Sequence, residues 1–334
     1  MTTLPRTPRR RPVPRRSQVR RRAGRGPGPP ATAESVLFLQ HAPIAQSAEA
    51  ADLKSAQCGF ESRWGHHREP EPPAAGARPD RRPQIRATME AMTETSAADQ
   101  LTARLDDVLS RLDAAAARAG RDGREITVLL ATKTRTPQEI DTVIDLLRER
   151  ERPIAVGENR AQEIAKHSDP LLADNGVPRH FIGRLQTNKA RDVVAFAETI
   201  HSVDREDIAD ALERRAGMAG LVRDVLVQVN TSGEESKGGF APTVESVGPI
   251  IERLRAGETL RPVGLMTIGA NTGDAATVRS SLRTLRQLRD QARTELDAPQ
   301  LEQLSMGMSG DLEIAVEEGA TIVRVGSAIF GARP

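Results

Sequence analysis

An α/β fold, built as one closed (β/α)8 TIM barrel, is predicted by three observations. From residue 127 onward, eight short runs rich in Val, Ile and Leu alternate with segments of helical period. Strict alternation of this kind implies parallel strands. The alternating region and the helix before it span about 240 residues, the usual size of such a barrel. The other parallel-sheet solution is an open doubly wound sheet. No G-x-G-x-x-G follows the first run, which counts against its dinucleotide-binding version.

The elements follow in order. A helix is expected over about 97–119. The strand-like runs are 127–133 (TVLLATK), 154–158 (IAVGE), 180–183 (HFIG), 199–204 (TIHSVD), 225–230 (VLVQVN), 262–268 (PVGLMTI), 301–307 (LEQLSMG) and 321–326 (TIVRVG). After the first run, Thr136-Pro137-Gln138-Glu139 reads as a capping box with proline at the first helical position. Ile140, Val143, Ile144 and Leu147 then form an apolar stripe at i, i+3, i+4, i+7. After the seventh run, Ser309 is expected to cap a helix carrying Leu312, Ala315 and Val316, which Gly319 stops.

Composition bounds the chemistry. Aromatic residues are 2% and tyrosine is absent, so the core is aliphatic. Cys58 is the sole cysteine, which excludes an internal disulfide and a CxxC pair, and the six histidines show no metal-ligand spacing apart from His66 and His67 in the polar first segment. No apolar run is long enough to span a membrane. Residues 1–30 hold ten arginines and no acid, whereas the region from 93 onward carries a net charge of about −7. The basic pI therefore belongs to the first segment and is no sign of nucleic-acid binding by the barrel.

Two regions result: an Arg/Pro/Ala-rich extension over 1–92, expected to be disordered, and the barrel over 93–334. Residues 58–63, CGFESR, back-translate to a codon string containing GGGTTCGAATCC, the T-arm of a transfer RNA gene. The coding start is accordingly expected at Met89 or Met92, the upstream residues being read through such a gene. Intact mass of the protein from its native host is expected to match the shorter chain, and a mass matching all 334 residues would refute this.

Side chains alternate along a strand, so Thr127, Leu129, Ala131 and Lys133 share one face of the first run, and Ile322, Arg324 and Gly326 share one face of the last. If these faces point inward, Lys133 and Arg324 meet at the C-terminal mouth, where barrels of this kind place their sites. The ordinary alternative is a rim lysine reaching solvent. The loops after the seventh and eighth runs, SMGMSGD and VGSAIFG, offer Gly and Ser amides and the hydroxyls of Ser309 and Ser327, a pattern suited to phosphate. Plain N-capping would also account for these serines. An amine beside a phosphate cradle suggests an aldehyde phosphate held as a Schiff base, and pyridoxal 5'-phosphate (PLP) fits that chemistry. An arginine at the pyridine nitrogen would keep it unprotonated, so carbanion stabilisation would be weak.

Seven stretches, in order, resemble one family. They are LLATKT, VGENRAQE, HFIGRLQTNK, SVDR, GLMTI, LSMGMSGDLEIAVEEGAT and RVGSAIFGAR. They are similar to the YggS/PROSC group, the pyridoxal phosphate homeostasis proteins. The resemblance implies a barrel like the N-terminal domain of alanine racemase. It also implies PLP on Lys133 as an internal aldimine and phosphate contacts from Ser309, Gly326 and Ser327. Arg324 would face the pyridine nitrogen, and Asn159, Asn230 and Met266 would lie beside the ring. Ordinary readings stand beside two of these: a helix cap for Asn159 and a turn for Asn230. Arg160 departs from the family in standing where an aromatic is frequent, and Ser327 replaces a threonine but keeps the hydroxyl. Lys237 reads more simply as part of a solvated loop than as a ligand contact.

The expected role is intracellular PLP homeostasis as a carrier or buffer, with no catalytic residue and no metal. Apo PLP-dependent enzymes are the expected recipients. Neither nucleic acid nor membrane is expected as a partner, and the protein is expected to be a cytoplasmic monomer. The alternative is a PLP-dependent racemase-like enzyme. Racemisation needs a second acid/base group, and the one candidate expected near the mouth is His201. A Schiff-base aldolase acting on a sugar phosphate is a third possibility, and would be colourless.

Overall fold

The computed structural model describes the backbone of residues 82–234 and 236–332, and the side chains within these ranges from 97 onward. The expected extension lies, for residues 1–81, outside the described residues.

Eight parallel strands close into a barrel in sequential order: β1 Thr127–Ala131, β2 Ile154–Glu158, β3 Arg179–Phe181, β4 Thr199–Val203, β5 Arg223–Gln228, β6 Leu260–Met266, β7 Gln303–Ser305 and β8 Ile322–Val325. Every expected run overlaps a strand. β8 pairs back to β1, setting Leu129 beside Arg324, so the open sheet is excluded. The helices are α1 Arg82–Arg118, α2 Pro137–Glu149, α3 Pro170–Ala173, α4 Ala190–Phe196, α5 Glu206–Ala219, α6 Val244–Ala256, α7 Ala275–Glu295, α8 Leu312–Glu317 and α9 Ser327–Phe330.

α1 starts at Arg82, well before the expected 97, and so enters the stretch expected to be irregular. Ala, Met, Glu and Gln supply good helix formers to those added turns, and Pro83 stands at the second position, where its missing N–H costs nothing. Leu105, Val108, Leu112, Ala115 and Ala116 form its buried stripe. α1 packs on α8 and α9, with Arg111 Nε 2.6 Å from Glu313. The capping box on α2 is complete: Thr136 Oγ1 accepts from the Glu139 amide at 3.2 Å, and Glu139 accepts from the Thr136 amide at 2.9 Å.

Two local expectations fail. The β2–β3 crossover is a 3-10 stretch, Ala161–Ser168, followed by the single turn α3. Pro170 follows Asp169, whose extended backbone and Leu171 amide contact restart the chain there. Ser309 does not cap α8; Asp311 holds the N-cap position, and its carboxylate accepts from the Met308 amide at 2.6 Å. The barrel interior holds a small cluster of Leu129, Ala155 and Ile322, with Ile182 against it. The large aliphatic core lies between strands and helices.

Candidate functional site

The strand ends open on a cavity of about 490 Å³ at the C-terminal mouth. Lys133, Asn159, Met266, Ser309, Arg324, Gly326 and Ser327 all line it. Seven of the eight expected cofactor residues are thus brought together, from five of the eight strand–helix units.

Lys133 does not arrive as the last residue of a strand. β1 ends at Ala131, and Lys133 sits in a following turn, half-buried. Thr134 adopts φ +63° there, a left-handed conformation that costs a β-branched residue ~1–2 kcal/mol. Side chains from the β2 side hold the turn. Thr132 Oγ1 donates to Glu158 Oε1 at 2.6 Å, and Lys166 Nζ donates to the Thr132 carbonyl at 2.6 Å. Glu163 Oε2 accepts from the Thr134 amide at 3.2 Å. The residues on both sides of Lys133 are therefore held, which offsets the strain of the turn. Burial works against ionisation of Glu163. The Lys166 hydrogen bond, the Thr134 amide and the charges of Lys166 and Lys133 outweigh it and hold the carboxyl below its ordinary range.

Arg324 is fully anchored from below. Nη1 donates to the Ser305 carbonyl at 2.7 Å and to Ser305 Oγ at 2.8 Å, and Nη2 donates to the Thr267 carbonyl at 2.8 Å. Burial lowers its guanidinium to about 10, against the pull of the Asp311 carboxylate. It stays a cation at neutral pH and cannot swing away without breaking three bonds.

The two serine loops meet. Ser327 Oγ lies 3.3 Å from Ser309 Oγ, which also accepts from the Ala328 amide at 3.2 Å. The Ser309 hydroxyl thus serves the other loop rather than its own helix. A Cβ on Gly326 would come within 3.1 Å of the Ala131 carbonyl oxygen, so glycine keeps this floor open beside Lys133's strand. Gly183 has a sharper constraint: a Cβ there would overlap the Asn159 carbonyl oxygen at 1.9 Å. This close approach packs the loop that carries Asn159.

Asn230 is not among the residues lining the cavity. Its side chain accepts from the Ser232 and Gly233 amides and donates to the Glu234 carbonyl, closing the loop after β5 as a turn residue. Lys237 bonds Glu234 and the Gly269 carbonyl, both at 2.6 Å. His201 is not at the mouth either. It is fully buried inside the barrel, one layer below, with Nδ1 2.9 Å from Ser305 Oγ and Nε2 2.9 Å from His180 Nδ1. Both ring nitrogens are engaged. Arg324, Ser305, His201 and His180 form a continuous hydrogen-bonded file, ending at a second cavity of about 650 Å³ that His180 lines with strand N-terminal ends.

Burial pushes His180 down to about 4, and burial, then His180 and Arg324, push His201 well below its ordinary value. Both are neutral in the folded protein, whereas the unfolded chain takes up these protons near pH 6.5. Stability is therefore complete above pH 6.5 and falls as pH drops from there towards 4, by up to ~1.4 kcal/mol per pH unit for each histidine. Urea unfolding between pH 7 and 5 is expected to show this slope, and His201→Asn to remove about half of it.

Among the described residues no group of three or more His, Cys, Asp or Glu is arranged to hold a metal. No described helix is long and apolar enough to cross a membrane.

The family model for the alanine racemase N-terminal domain matches residues 155–334. The chain is 41% identical over 230 residues to the pyridoxal phosphate homeostasis protein of Aquifex aeolicus, covering 69% of this chain and 97% of that one. Among solved structures, PipY of Synechococcus elongatus PCC7942 with PLP bound is 30% identical, with a TM-score of 0.55. That match covers 67% of this chain and all of PipY. Alanine racemase of Clostridium difficile 630 is 19% identical with a TM-score of 0.52, covering 71% of this chain and 57% of the racemase. It shares the fold alone.

Proposed function

The chain belongs to the family of pyridoxal phosphate homeostasis proteins, and on that premise we propose that it carries and buffers pyridoxal 5'-phosphate, held reversibly through the Lys133 amine. One observation carries the reading: an amine, a buried guanidinium and two serine hydroxyls line a single cavity. The donor set fits the cofactor at each end. Ser309 and Ser327 offer hydroxyls 3.3 Å apart for a phosphate, and Gly326 leaves room where a side chain would intrude. Arg324 offers a fixed cation for a ring nitrogen.

When bound, the cofactor supplies an aldehyde that captures an amine reversibly. Lys133 would supply that amine, and Glu158, Glu163 and Lys166 hold the turn that carries it. Arg324, a fixed cation, would face the ring nitrogen and keep a proton off it, which suits storage better than carbanion chemistry. Ser309, Ser327 and the Gly326 backbone would hold the phosphate, and Asn159 and Met266 would lie beside the ring. Asn230 acts indirectly, by shaping the loop after β5.

A carrier is favoured over a racemase because the second acid/base is missing from the candidate set. The chain has no tyrosine, and His201 has both nitrogens committed inside the barrel. Apo PLP-dependent enzymes are the proposed recipients, in the cytoplasm. The protein works as a monomer, with the barrel over 93–334 as the working unit and the extension taking no part. Loaded protein mixed with an apo PLP-dependent enzyme is expected to restore that enzyme's activity while losing its own visible absorbance. Racemisation of added alanine at enzymatic rates would overturn the carrier reading.

A further inference from the structure

Beside the mouth lies a larger cleft of about 940 Å³, which shares Asn159 with the cavity described above. Its walls come from the loops after β2 and β3, over an apolar floor of Phe181 and Leu185. Cations dominate it. Arg160 and Lys189 make no ion pair among the described residues, and Arg184 reaches only Asp204, at 3.9 Å. Lys166 is not available to a ligand: its three donors serve the Thr132 carbonyl at 2.6 Å, Glu158 at 3.0 Å and Glu163 at 3.0 Å. Among the described residues Glu163 is the one acid on the wall.

We propose that this cleft is a second ligand site, for a small polyanion carrying phosphate groups, and that filling it loosens the turn bearing Lys133. Uncompensated cations around a concave space of this size suit a small molecule better than a peptide laid across a flat face. The coupling runs through Glu163, which belongs to both places. It lines the cleft and also accepts from the Thr134 amide at 3.2 Å. A second negative charge beside Glu163 repels its carboxylate and so weakens its hold on the Thr134 amide of the strained turn. Release of the bound aldehyde is hydrolysis. The oxygen of one water goes to the aldehyde carbon, the carbon–nitrogen link breaks, and the water's two protons leave Lys133 as a free amine. By linkage, the loaded protein binds the polyanion less tightly than the unloaded one.

This coupling rests on Lys133 being the carrier residue, whereas the cleft itself does not, and the test separates them. Pyrophosphate at constant ionic strength is titrated calorimetrically into the full chain, unloaded and PLP-loaded. Saturable binding is expected in the unloaded protein, weakened about tenfold or more by Arg184→Gln with Lys189→Gln. Saturating pyrophosphate is expected to speed PLP loss to an aminooxy trap several-fold in the parent, and not in that double variant. Glu163→Gln is expected to release quickly with or without it. The site is overturned if pyrophosphate fails to bind, if the double variant binds it equally, or if Ser309→Ala abolishes the binding instead. It is equally overturned if only an acidic peptide such as hexaglutamate binds the cleft. Binding without any change in release overturns the coupling. Pyrophosphate binding by a chain that never takes up PLP upholds the cleft and refutes the Lys133 reading.

Discussion

Lys133→Ala is expected to yield a folded protein that takes up no covalent PLP and carries no pyridoxyl label after borohydride reduction at any cofactor concentration. The turn residues that pay for the left-handed Thr134 are untouched by this change, so stability should move by less than ~1 kcal/mol. The phosphate contacts remain, and charge-assisted hydrogen bonds of ~1.5–3 kcal/mol each still allow weak non-covalent binding. Retention through gel filtration is expected to fall roughly a hundredfold or more, two factors of ten at ~1.4 kcal/mol each. Unfolding midpoints measured alongside distinguish loss of the amine from loss of the fold.

Arg324→Met has the second large effect, and it acts on both fold and ligand. Methionine fits the volume but leaves the Ser305 and Thr267 carbonyls and the Ser305 hydroxyl without their buried donor. Unsatisfied buried groups cost ~1–3 kcal/mol each, partly relieved if water enters from the cavity, so a loss of about 3 kcal/mol in urea unfolding is expected. The fixed cation at the cavity floor is lost as well. PLP affinity is expected to fall at least about tenfold, with a shifted absorbance band, because nothing then holds the ring nitrogen unprotonated. Arg324→Lys restores charge without the three-point anchor, and should recover part of the affinity and little of the stability.

The barrel was legible because its signals are local and repeated. Alternating apolar runs, the capping box at Thr136 and the stripe on α2 each follow from a period or a cap, and each recurs in the structure. Lys133 and Arg324 were legible for a related reason: charged side chains in apolar runs are costly unless the chain uses them. The grip on Lys133 was not legible. It depends on Glu158, which points out of the barrel into the helix layer, and on Lys166 and Glu163 in a 3-10 stretch that read as a helix. A threonine at positive φ carries no sequence mark. His201 was misplaced because strand alternation gives the face and not the depth. It points inward, but from the middle of β4, below Arg324. Ser305 was missed because a serine near a strand end looks like any other loop-bound hydroxyl, and only closure of the barrel sets it between Arg324 and His201.

Borohydride reduction of the full-length PLP-loaded protein, followed by peptide mass mapping, addresses the central claim most directly. Reduction locks the cofactor onto whichever amine holds it. The account predicts a pyridoxyl mass on the peptide containing Lys133 and on no other lysine. A label on Lys166, Lys189 or Lys237 with Lys133 unmodified, or no label at all, would contradict it.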